Sequence, residues 1–273
     1  QGIADYSATG AEQITGYSTT LLAEALLAVG QVEEAATTID AALAMQQADR
    51  VSFYLAEGHR SREIDAAVAA AKDRGIAVEI RPRALVAGLA GAPAHQGIVA
   101  IAGEYHYGRI EDMLAAAQAA SEAPLLLLLD CITDPQNFGA LVRSAEVLGA
   151  HGVIVPDKHA APVTGAAVKA SAGASERMRI ARVRNLLGTI DWLGSQGVRV
   201  WGAAAERGVP LAQAEFVGPT GLVVGAEGRG LREAVARRCA GIVQIPQRGQ
   251  VSSLNASAAG AILLYEAMRQ RGK

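Results

Sequence analysis

The chain has 273 residues, of which 51% are hydrophobic and 19% are charged, a composition that indicates a globular protein and excludes a disordered one. No apolar run approaches the roughly 20 residues that cross a bilayer, and no basic segment precedes an apolar stretch near residue 1. We therefore expect a cytoplasmic protein that has no membrane segment. The two cysteines lack metal-ligand spacing, which predicts reduced thiols and no metal site.

The net charge of −2 conceals two halves of opposite sign. Residues 1–122 carry 8 Lys+Arg and 16 Asp+Glu, whereas residues 123–273 carry 17 Lys+Arg and 11 Asp+Glu. A basic half can bind a polyanion such as RNA, or it can simply be a solvated surface. The charge alone favours neither interpretation.

Residues 1–49 are predicted to form an acidic helical hairpin. Apolar residues recur at helical spacing over residues 17–29 and again over residues 32–45, with a break at Gly30. The hairpin, residues 17–46, resembles a single tetratricopeptide unit. Because one such unit cannot bury its own apolar face, it must pack on the rest of the chain, bind a protein partner or remain loose.

The rest of the chain alternates strand and helix patterns. Residues 50–104 predict a small α/β domain, and residues 105–122 predict a linker that carries a helix over 110–120. In residues 123–273, near-continuous apolar strands alternate with helices, which predicts a parallel sheet covered on both faces. Strands are predicted at 51–55, 77–80, 97–102, 125–130, 152–156, 198–204, 221–225 and 241–245, and helices at 61–72, 84–89, 137–149, 163–172, 185–195, 231–237 and 255–270.

Three loops at the ends of predicted strands carry candidate site residues, and the first of them follows strand 125–130. Asp134 and Pro135 are a typical N-cap and first helical residue. Asn137 then lies near the helix start, and Arg143 lies nearly two turns further on, among apolar residues. A helical arginine is usually a surface ion-pair partner, but one beside an apolar face is a candidate site residue.

The second loop runs from Gly225 to Leu231 and contains three glycines, so its backbone can approach a ligand closely. Its glycine spacing matches neither the dinucleotide fingerprint nor a P-loop. Glu227 in this loop would meet a cation, a hydroxyl or an amine rather than a phosphate. The alternative is a glycine-rich turn with an exposed glutamate.

The third loop begins at Ile245 and is rich in neutral polar groups. Ser253, Asn255 and Ser257 crowd the start of the last predicted helix and offer donors and acceptors without charge. This composition predicts a site for a neutral or zwitterionic ligand.

Together, the three loops resemble the three motifs of the SPOUT class of methyltransferases, and specifically the TrmH (SpoU) family, which methylates the ribose 2′-hydroxyl of RNA. The motifs span residues 134–145, 225–231 and 245–257, and residues 94–97 are similar to the two-domain members. The likeness is greatest to the members that methylate a guanosine of 23S rRNA. A tRNA ribose methyltransferase and a non-catalytic RNA-binding or scaffolding relative are the alternatives.

The resemblance implies a trefoil knot in the C-terminal domain, S-adenosylmethionine as cofactor, RNA as substrate, and a homodimer with the site at its interface. It implies that Arg143 activates the hydroxyl, either as a base or electrostatically, and that no metal is required. Four further residues would complete the catalytic set: Asn137, Glu227, Ser253 and Asn255. Three residues would bind the cofactor: Gly225, Ile245 and Leu254.

The N-terminal region departs from the family, whose two-domain members begin with a strand–helix element that completes the RNA-binding domain. Residues 1–49 contain seven Asp+Glu and no Lys or Arg, so this region should repel RNA. A fusion, a truncated start or a substituted element would each account for the departure.

Overall fold

The computed structural model describes residues 19–20, 52–58, 61–73, 75–90, 97–102, 105–250 and 253–272. The chain divides into two compact units. The smaller comprises the residues up to His106 together with Val163–Lys169, and the larger comprises Tyr107–Pro162 and Ala170–Lys273. Both contain strands and helices, as the sequence predicts.

The smaller unit contains a four-stranded sheet around a small apolar core. The strands are β1 (Thr19–Thr20), β2 (Ser52–Ala56), β3 (Val78–Arg81) and β4 (Ile98–Ala102), in the order β1-β4-β2-β3. Strand β2 runs parallel to β3 and antiparallel to β4. The helices are α1 (Arg62–Asp73) and α2 (Arg83–Ala90). The core is formed by Ala56, Val86 and Val99, all buried.

Strand β1 corrects one prediction. Helical spacing predicted a helix from residue 17, but Thr19 and Thr20 pair with Ala102 and Ile101 in an antiparallel strand. Two consecutive β-branched residues favour this extended conformation. The other residues of the predicted hairpin, with their tetratricopeptide likeness and protein partner, lie outside the described residues.

The larger unit is built on a seven-stranded parallel sheet, which confirms the predicted architecture. The strands, in the order β7-β6-β5-β10-β8-β11-β9, are β5 (Leu125–Asp130), β6 (Gly152–Pro156), β7 (Ile180–Val183), β8 (Arg199–Ala204), β9 (Val209–Pro210), β10 (Thr220–Gly225) and β11 (Gly241–Gln244). The helices are α3 (Ile110–Ala119), α4 (Pro135–Val147), α6 (Leu186–Ser195), α7 (Glu233–Arg238) and α8 (Ala256–Gln270), while α5 (Gly165–Ala170) lies mostly in the smaller unit.

Helix α3 belongs to the core of the larger unit, although it falls in the predicted linker 105–122. Met113 is fully buried in a cluster that includes Leu126 and Leu128 of β5. It also lies against Gly152, where a Cβ atom would be 2.2 Å from the Met113 sulfur. The glycine therefore provides the space into which the helix packs.

The strand register places the three candidate loops at one edge of the sheet. Strands β5 and β10 pair in register up to Asp130 and Gly225, and β8 and β11 pair up to Ala204 and Gln244. Because all these strands are parallel, the loops that follow them begin side by side.

The last helix is held at two places, against helix α4 and against the segments that precede strands β5 and β10. Near its start, Gly260 of α8 lies where a Cβ atom would be 2.2 Å from the Leu141 side chain of α4, so the two helices pack closely. Just beyond its end, the Arg271 guanidinium donates hydrogen bonds to four backbone carbonyls, those of Ala123, Pro124, Phe216 and Gly218.

Among the described residues, no helix is both long enough and apolar enough to cross a membrane.

Candidate functional site

Asn137 is positioned by the start of helix α4. Asp134 caps the helix, and its carboxylate accepts a hydrogen bond of 2.9 Å from the backbone N–H of Asn137. Pro135 follows as the first helical residue, as the sequence predicts. The cap fixes the backbone of Asn137, and its side chain lies at the carboxyl edge of the sheet.

The glycine-rich loop folds back on the end of strand β10. Gly230 donates a backbone hydrogen bond of 2.8 Å to the carbonyl of Ala226, which closes a tight turn over Glu227. Gly228 and Gly230 have φ values of 77° and 65°, in the left-handed region that favours glycine. A Cβ atom on Gly225 would be 2.2 Å from the backbone carbon of Gly230. The loop therefore requires glycine at its first position for close packing and at two others for conformation.

An ion pair fixes the far end of the same loop. Asp130, the last residue of β5, is fully buried. Its carboxylate accepts two hydrogen bonds from Arg232, one from the backbone N–H at 2.8 Å and one from the guanidinium Nε at 2.7 Å. A buried charge needs a partner of this kind, and a two-point contact also fixes orientation. The sequence interpretation did not identify this pair.

Asn255 caps the start of helix α8, and its side-chain amide nitrogen is directed at the other two loops. Its side-chain oxygen accepts hydrogen bonds from the backbone N–H of Ser257 at 2.8 Å and from the Ser257 hydroxyl at 2.6 Å. Because the oxygen is used by the cap, only the amide N–H groups are available to other loops.

The three loops meet in one hydrogen-bond network. The Asn255 amide donates to the Asn137 side-chain oxygen at 2.8 Å and to the Glu227 carboxylate at 3.2 Å. The Asn137 amide donates to the same carboxylate oxygen at 3.3 Å. The structure thus brings together three predicted residues, and the Glu227 carboxylate accepts hydrogen bonds from the amides of both asparagines. We call Asn137, Glu227 and Asn255 the amide–carboxylate network.

A cavity of about 550 Å³ lies beside this network. All three predicted cofactor-binding residues line it, together with two predicted catalytic residues: Gly225, Ile245, Leu254, Glu227 and Ser253. Its volume is within the range of small-molecule sites, about 300–1,000 Å³. Small side chains expose backbone groups for specific hydrogen bonds, and Ile245 and Leu254 provide apolar walls.

The opposite wall of the cavity was missed by the sequence interpretation. It consists of residues 203–207, which are the last two residues of strand β8 and the three that follow them. Arg207 on this wall pairs with Glu233 of helix α7 at 3.0 Å. The residues were overlooked because their alanines carry no chemical signal, and only the strand order places this loop beside the other two.

Arg143 does not join the network in its own chain. Its side chain is exposed on helix α4, and no hydrogen bond or ion pair joins it to another described residue. Six residues after Asn137, it lies about 9 Å further along the axis and about 120° around the helix. Arg143 and the amide–carboxylate network therefore face different surfaces.

The two cysteines near the glycine-rich loop are unsuited to nucleophilic chemistry. Both are free thiols. Burial and the Asp130 carboxylate raise the pKa of Cys239 to about 11, and burial is also the main cause of the raised pKa of Cys131. A thiolate is the reactive form, so both groups are held in the inert state. Within the described part of the chain, no group of three His, Cys, Asp or Glu residues could hold a metal.

Two family models match the sequence. Residues 124–265 match the SpoU rRNA Methylase family, and residues 37–108 match the family described as RNA 2′-O ribose methyltransferase substrate binding. The chain belongs to the SpoU rRNA methylase family. The second match starts within residues 1–49, which the sequence interpretation assigned to a separate hairpin.

Curated relatives agree with this assignment. A protein of Bacillus subtilis, named as a TrmH family tRNA/rRNA methyltransferase, is 34% identical over 219 residues, which cover 80% of this chain and 88% of that one. A tRNA/rRNA methyltransferase of Synechocystis is 43% identical over 178 residues. The second match covers 65% of this chain but only 46% of the relative, so the chain spans less than half of that protein.

Solved structures confirm the SPOUT fold and the cofactor. The SpoU methyltransferase AviRb from Streptomyces viridochromogenes, in complex with S-adenosylmethionine, has a TM-score of 0.70 and 27% identity over 86% of this chain and 88% of that one. An rRNA methyltransferase from Sinorhizobium meliloti, also bound to S-adenosylmethionine, has a TM-score of 0.68 and 25% identity over 84% of both chains. Both of these structures, at 25–27% identity, hold S-adenosylmethionine in the fold that this SpoU methylase shares.

The residues of the cavity fit S-adenosylmethionine. Gly225, Gly228 and Ala203 leave main-chain donors and acceptors accessible, which can recognise the edge of an adenine ring. Ile245 and Leu254 can cover the flat faces of the ring, and Leu254 is 38% exposed on this wall. The Glu227 carboxylate provides a negative charge on the cavity wall, which suits a cationic sulfonium ligand.

Proposed function

We propose that this SpoU methylase transfers a methyl group from S-adenosylmethionine to the ribose 2′-hydroxyl of a guanosine in 23S rRNA. The observation that carries the proposal is the amide–carboxylate network, which joins one polar residue from each loop beside the cofactor cavity. The match of residues 37–108 to a 2′-O ribose substrate-binding family supports the ribose as the acceptor. An rRNA substrate would place the protein in the cytoplasm.

The chemistry divides between the cofactor and the side chains. S-adenosylmethionine supplies a methyl group on a positively charged sulfur. The cavity orients that group. Asn137 can hold the ribose with its second amide N–H, because Asn255 and Glu227 fix its side chain. Ser253 on the cavity wall can donate to or accept from the substrate.

The ribose hydroxyl is a weak acid, so its developing negative charge needs stabilisation. We assign this role to Arg143 as an electrostatic activator and not as a base, because a guanidinium group is a poor proton acceptor. Stabilising charge that develops only in the transition state raises the rate without tightening substrate binding.

A homodimer would bring Arg143 to the site, because its position on α4 separates it from the network of its own chain. Val147, one turn beyond Arg143, is 67% exposed. On the neighbouring helix α8, Ile262 and Tyr265 are 37% and 53% exposed. An apolar, exposed face around an arginine suits a second copy of this chain. We propose that Arg143 of one copy completes the site of the other.

A tRNA substrate is the alternative within the same reaction. A structure concerned with 2-OH methylation of C/U34 on tRNA matches 96% of that chain but only 54% of this one, with a TM-score of 0.50. The rRNA methyltransferase of Sinorhizobium meliloti, in contrast, matches 84% of this chain. The additional length shared with the rRNA enzyme favours rRNA. Retention of every polar network residue argues against a non-catalytic relative.

Mass-spectrometric mapping of ribose methylation tests the substrate. The wild-type protein should add one 2′-O-methylguanosine to 23S rRNA from a strain that lacks it, and no methyl group to tRNA. Methylation of tRNA alone would establish the alternative substrate. Cofactor binding without methylation of either RNA would contradict the proposal and support a non-catalytic role.

Mixed dimers test the position of Arg143. Arg143→Ala and Asn255→Ala chains should each be inactive alone. In a random mixture, half of the dimers contain one of each, and each has one intact site, so about a quarter of the wild-type activity should return. No recovery in dimers that demonstrably mix would show that Arg143 acts within its own chain or not at all.

A further inference from the structure

A segment of the larger unit carries exposed arginines that lack acidic partners. Across residues 177–184 there is no aspartate or glutamate, and the printed sequence alternates basic with apolar residues. None of the ion pairs among the described residues involves this segment. We call its four exposed arginines the arginine edge: Arg177, Arg179, Arg182 and Arg184.

Arginines elsewhere in the larger unit are mostly paired with carboxylates. Arg199 contacts Glu215 at 3.3 Å, Arg237 contacts Glu233 at 4.0 Å, and Arg238 contacts Asp191. The arginine edge differs because four like charges in eight residues repel one another and, among the described residues, none of them forms an ion pair with a carboxylate. Binding a polyanion would relieve that repulsion.

The acidic residue next to the edge does not neutralise it fully. Glu176 is partly buried, and burial raises its pKa to about 7. At neutral pH the carboxyl group is therefore protonated in a large fraction of molecules. The segment keeps most of its positive charge.

The arginine edge spans the outermost strand of the sheet: Arg182 lies in β7, and the other three arginines flank that strand. Strand β7 pairs with β6 on one side only. Along its other side, among the described residues, Gly108 donates a hydrogen bond of 2.8 Å to Ile180 and forms a single bridge with Ala181. Charged residues on a sheet edge also prevent edge-to-edge aggregation, which is the simpler explanation that an experiment must exclude.

One arginine of the edge is held in place by its surroundings. The Arg182 guanidinium lies over the Tyr107 ring, 5.4 Å from its centroid, and donates a hydrogen bond of 3.0 Å to the Asp157 carbonyl. These contacts use one face and one N–H group, so other donors of the planar guanidinium remain available for a phosphate. An arginine fixed in this way loses less conformational entropy when it binds.

The edge is within reach of an RNA strand at the site. Arg184 follows the end of β7, at the same edge of the sheet as Gly225 at the end of β10. Strand β7 is three positions from β10, a lateral distance of about 14 Å. A polynucleotide whose target ribose occupies the site can therefore extend across the sheet to Arg184. From there it can follow β7 back to Arg179 and Arg177, which precede the start of that strand.

We propose that the arginine edge binds backbone phosphates of the RNA substrate beyond the target nucleotide. The proposal rests on the proposed function in one respect, that the substrate is RNA. Phosphate contacts position a nucleic acid without reading its bases. The edge should therefore strengthen binding of RNA of any sequence and leave the choice of target nucleotide to other residues.

The test compares two triple variants that lose the same charge. Arg177→Gln/Arg179→Gln/Arg184→Gln removes three edge arginines and spares Arg182, which has structural contacts. The control, Arg199→Gln/Arg237→Gln/Arg238→Gln, removes three exposed arginines that have carboxylate partners. Binding of a short fluorescent single-stranded RNA is measured from roughly 50 to 300 mM KCl, where phosphate contacts determine the salt dependence.

The edge variant should bind RNA about tenfold more weakly at the lowest salt. In a plot of the logarithm of the binding constant against the logarithm of the KCl concentration, the magnitude of the slope should decrease by about 2, close to 0.7 for each lost contact. The control should stay within about twofold of wild type. S-adenosylmethionine affinity and thermal stability should be unchanged in both variants. In methylation assays the edge variant should show a raised KM for RNA and an unchanged kcat.

Equal weakening in both variants would show a general charge effect and overturn the proposal. Unchanged binding by the edge variant, together with aggregation at low salt, would show that the arginines only protect the sheet edge. The proposed function is tested separately by wild-type methylation. If the wild type binds RNA but methylates neither 23S rRNA nor tRNA, the proposed function fails while the salt dependence still decides the role of the edge.

Discussion

Asn255 donates a hydrogen bond of 2.8 Å to the side-chain oxygen of Asn137, although 118 residues separate them in the sequence. Each asparagine also lies at the start of a helix, Asn137 in the first turn of α4 and Asn255 as the N-cap of α8. Helix starts are rigid, because their backbone N–H groups are held by caps. The geometry of the site is therefore set by two helix termini and the carboxylate of Glu227 between them.

Asn255 both caps helix α8 and joins the amide–carboxylate network. These two roles can be separated by comparison with a second capping asparagine. Asn185 caps helix α6, accepting a hydrogen bond of 3.1 Å from Gly188, and has no contact with the site. Asn255→Ala and Asn185→Ala should each lower the free energy of unfolding by about 1 kcal/mol. Only Asn255→Ala should lower methylation, by about a hundredfold, because the amide that holds Asn137 and Glu227 in place is lost.

Chemical denaturation and single-turnover methylation measure the two effects. Asn255→Asp is a further check, since aspartate keeps the cap but places a second carboxylate beside Glu227. It should retain most of the stability and lose the activity. Equal activity losses in Asn255→Ala and Asn185→Ala would mean that the cap alone matters.

Gly225→Ala should disrupt the cofactor loop. The new Cβ atom would lie 2.2 Å from the Gly230 backbone carbon and 2.4 Å from the Leu231 nitrogen, and these backbone atoms cannot rotate away. We expect a loss of about 1–3 kcal/mol in stability and a greater than tenfold loss of S-adenosylmethionine affinity, measured by calorimetry.

Gly194→Ala is the matched control for this substitution. Gly194 lies in helix α6, and a Cβ atom there has no neighbour within 4 Å. The alanine should raise stability by up to about 1 kcal/mol, because glycine is a poor helix former, and leave cofactor affinity unchanged. Unchanged cofactor affinity in Gly225→Ala would show that the loop can shift without cost.

The strands and helices of the larger unit were predictable from local patterns. Five consecutive leucines define β5, and Asp134–Pro135 mark the start of α4, within two residues of the predicted position. The two missed strands are short edge strands, and their sequences include Arg182 and Pro210, which interrupt an apolar run. Local composition alone does not identify such strands, because pairing with a neighbour stabilises them.

The assembly of the site was not predictable from local patterns. The insertion of β10 between β5 and β8 brings the first and second loops together, and this order depends on packing across the whole sheet. The resemblance to SPOUT enzymes indicated that the three loops form one site, which periodicity could not show. It did not show that Arg143 and Asn137 face different surfaces, although their six-residue spacing on one helix already indicated it.

Arg271 should be a major stabilising residue of the C-terminal helix. Its half-buried guanidinium donates to four carbonyls that precede strands β5 and β10, at distances of 2.6–3.1 Å. Arg271→Ala removes all four hydrogen bonds, although Thr220 still donates to the carbonyls of Pro124, Phe216 and Gly218. It should lower the free energy of unfolding by about 1–3 kcal/mol, measured by urea denaturation. Arg271→Lys should recover only part of this, since an ammonium group cannot reach all four.

Arg269→Ala tests whether the effect is specific to the buried arginine. Arg269 is 57% exposed and pairs with Glu266 three residues earlier on the same helix. The Glu266 side chain is only 12% exposed, but the arginine head is in solvent, so a same-helix pair of this kind contributes about 0.5 kcal/mol. If the two alanine variants were equally stable, the carbonyl contacts of Arg271 would contribute nothing beyond a surface ion pair.

Stability should decrease with pH because of Glu176. Burial raises the pKa of this carboxyl from its ordinary 4.5 to about 7, so the folded protein binds a proton more tightly than the unfolded chain between these pH values. The contribution of Glu176 is therefore most favourable below pH 4.5 and is lost as the pH rises through 7, by roughly 3 kcal/mol in total. Glu176→Gln cannot ionise and should lack this dependence.

The measurement is the difference between the wild-type and Glu176→Gln stability curves from acid to neutral pH, because this difference removes the contribution of all other carboxylates. The free energy of unfolding of the variant, relative to that of the wild type, should increase as the pH rises. Glu111→Gln provides a control of opposite sign, since backbone hydrogen bonding lowers the pKa of Glu111, and its stabilising contribution is lost as the pH falls. A flat difference curve for Glu176→Gln would mean that its carboxyl is hydrated in the folded protein.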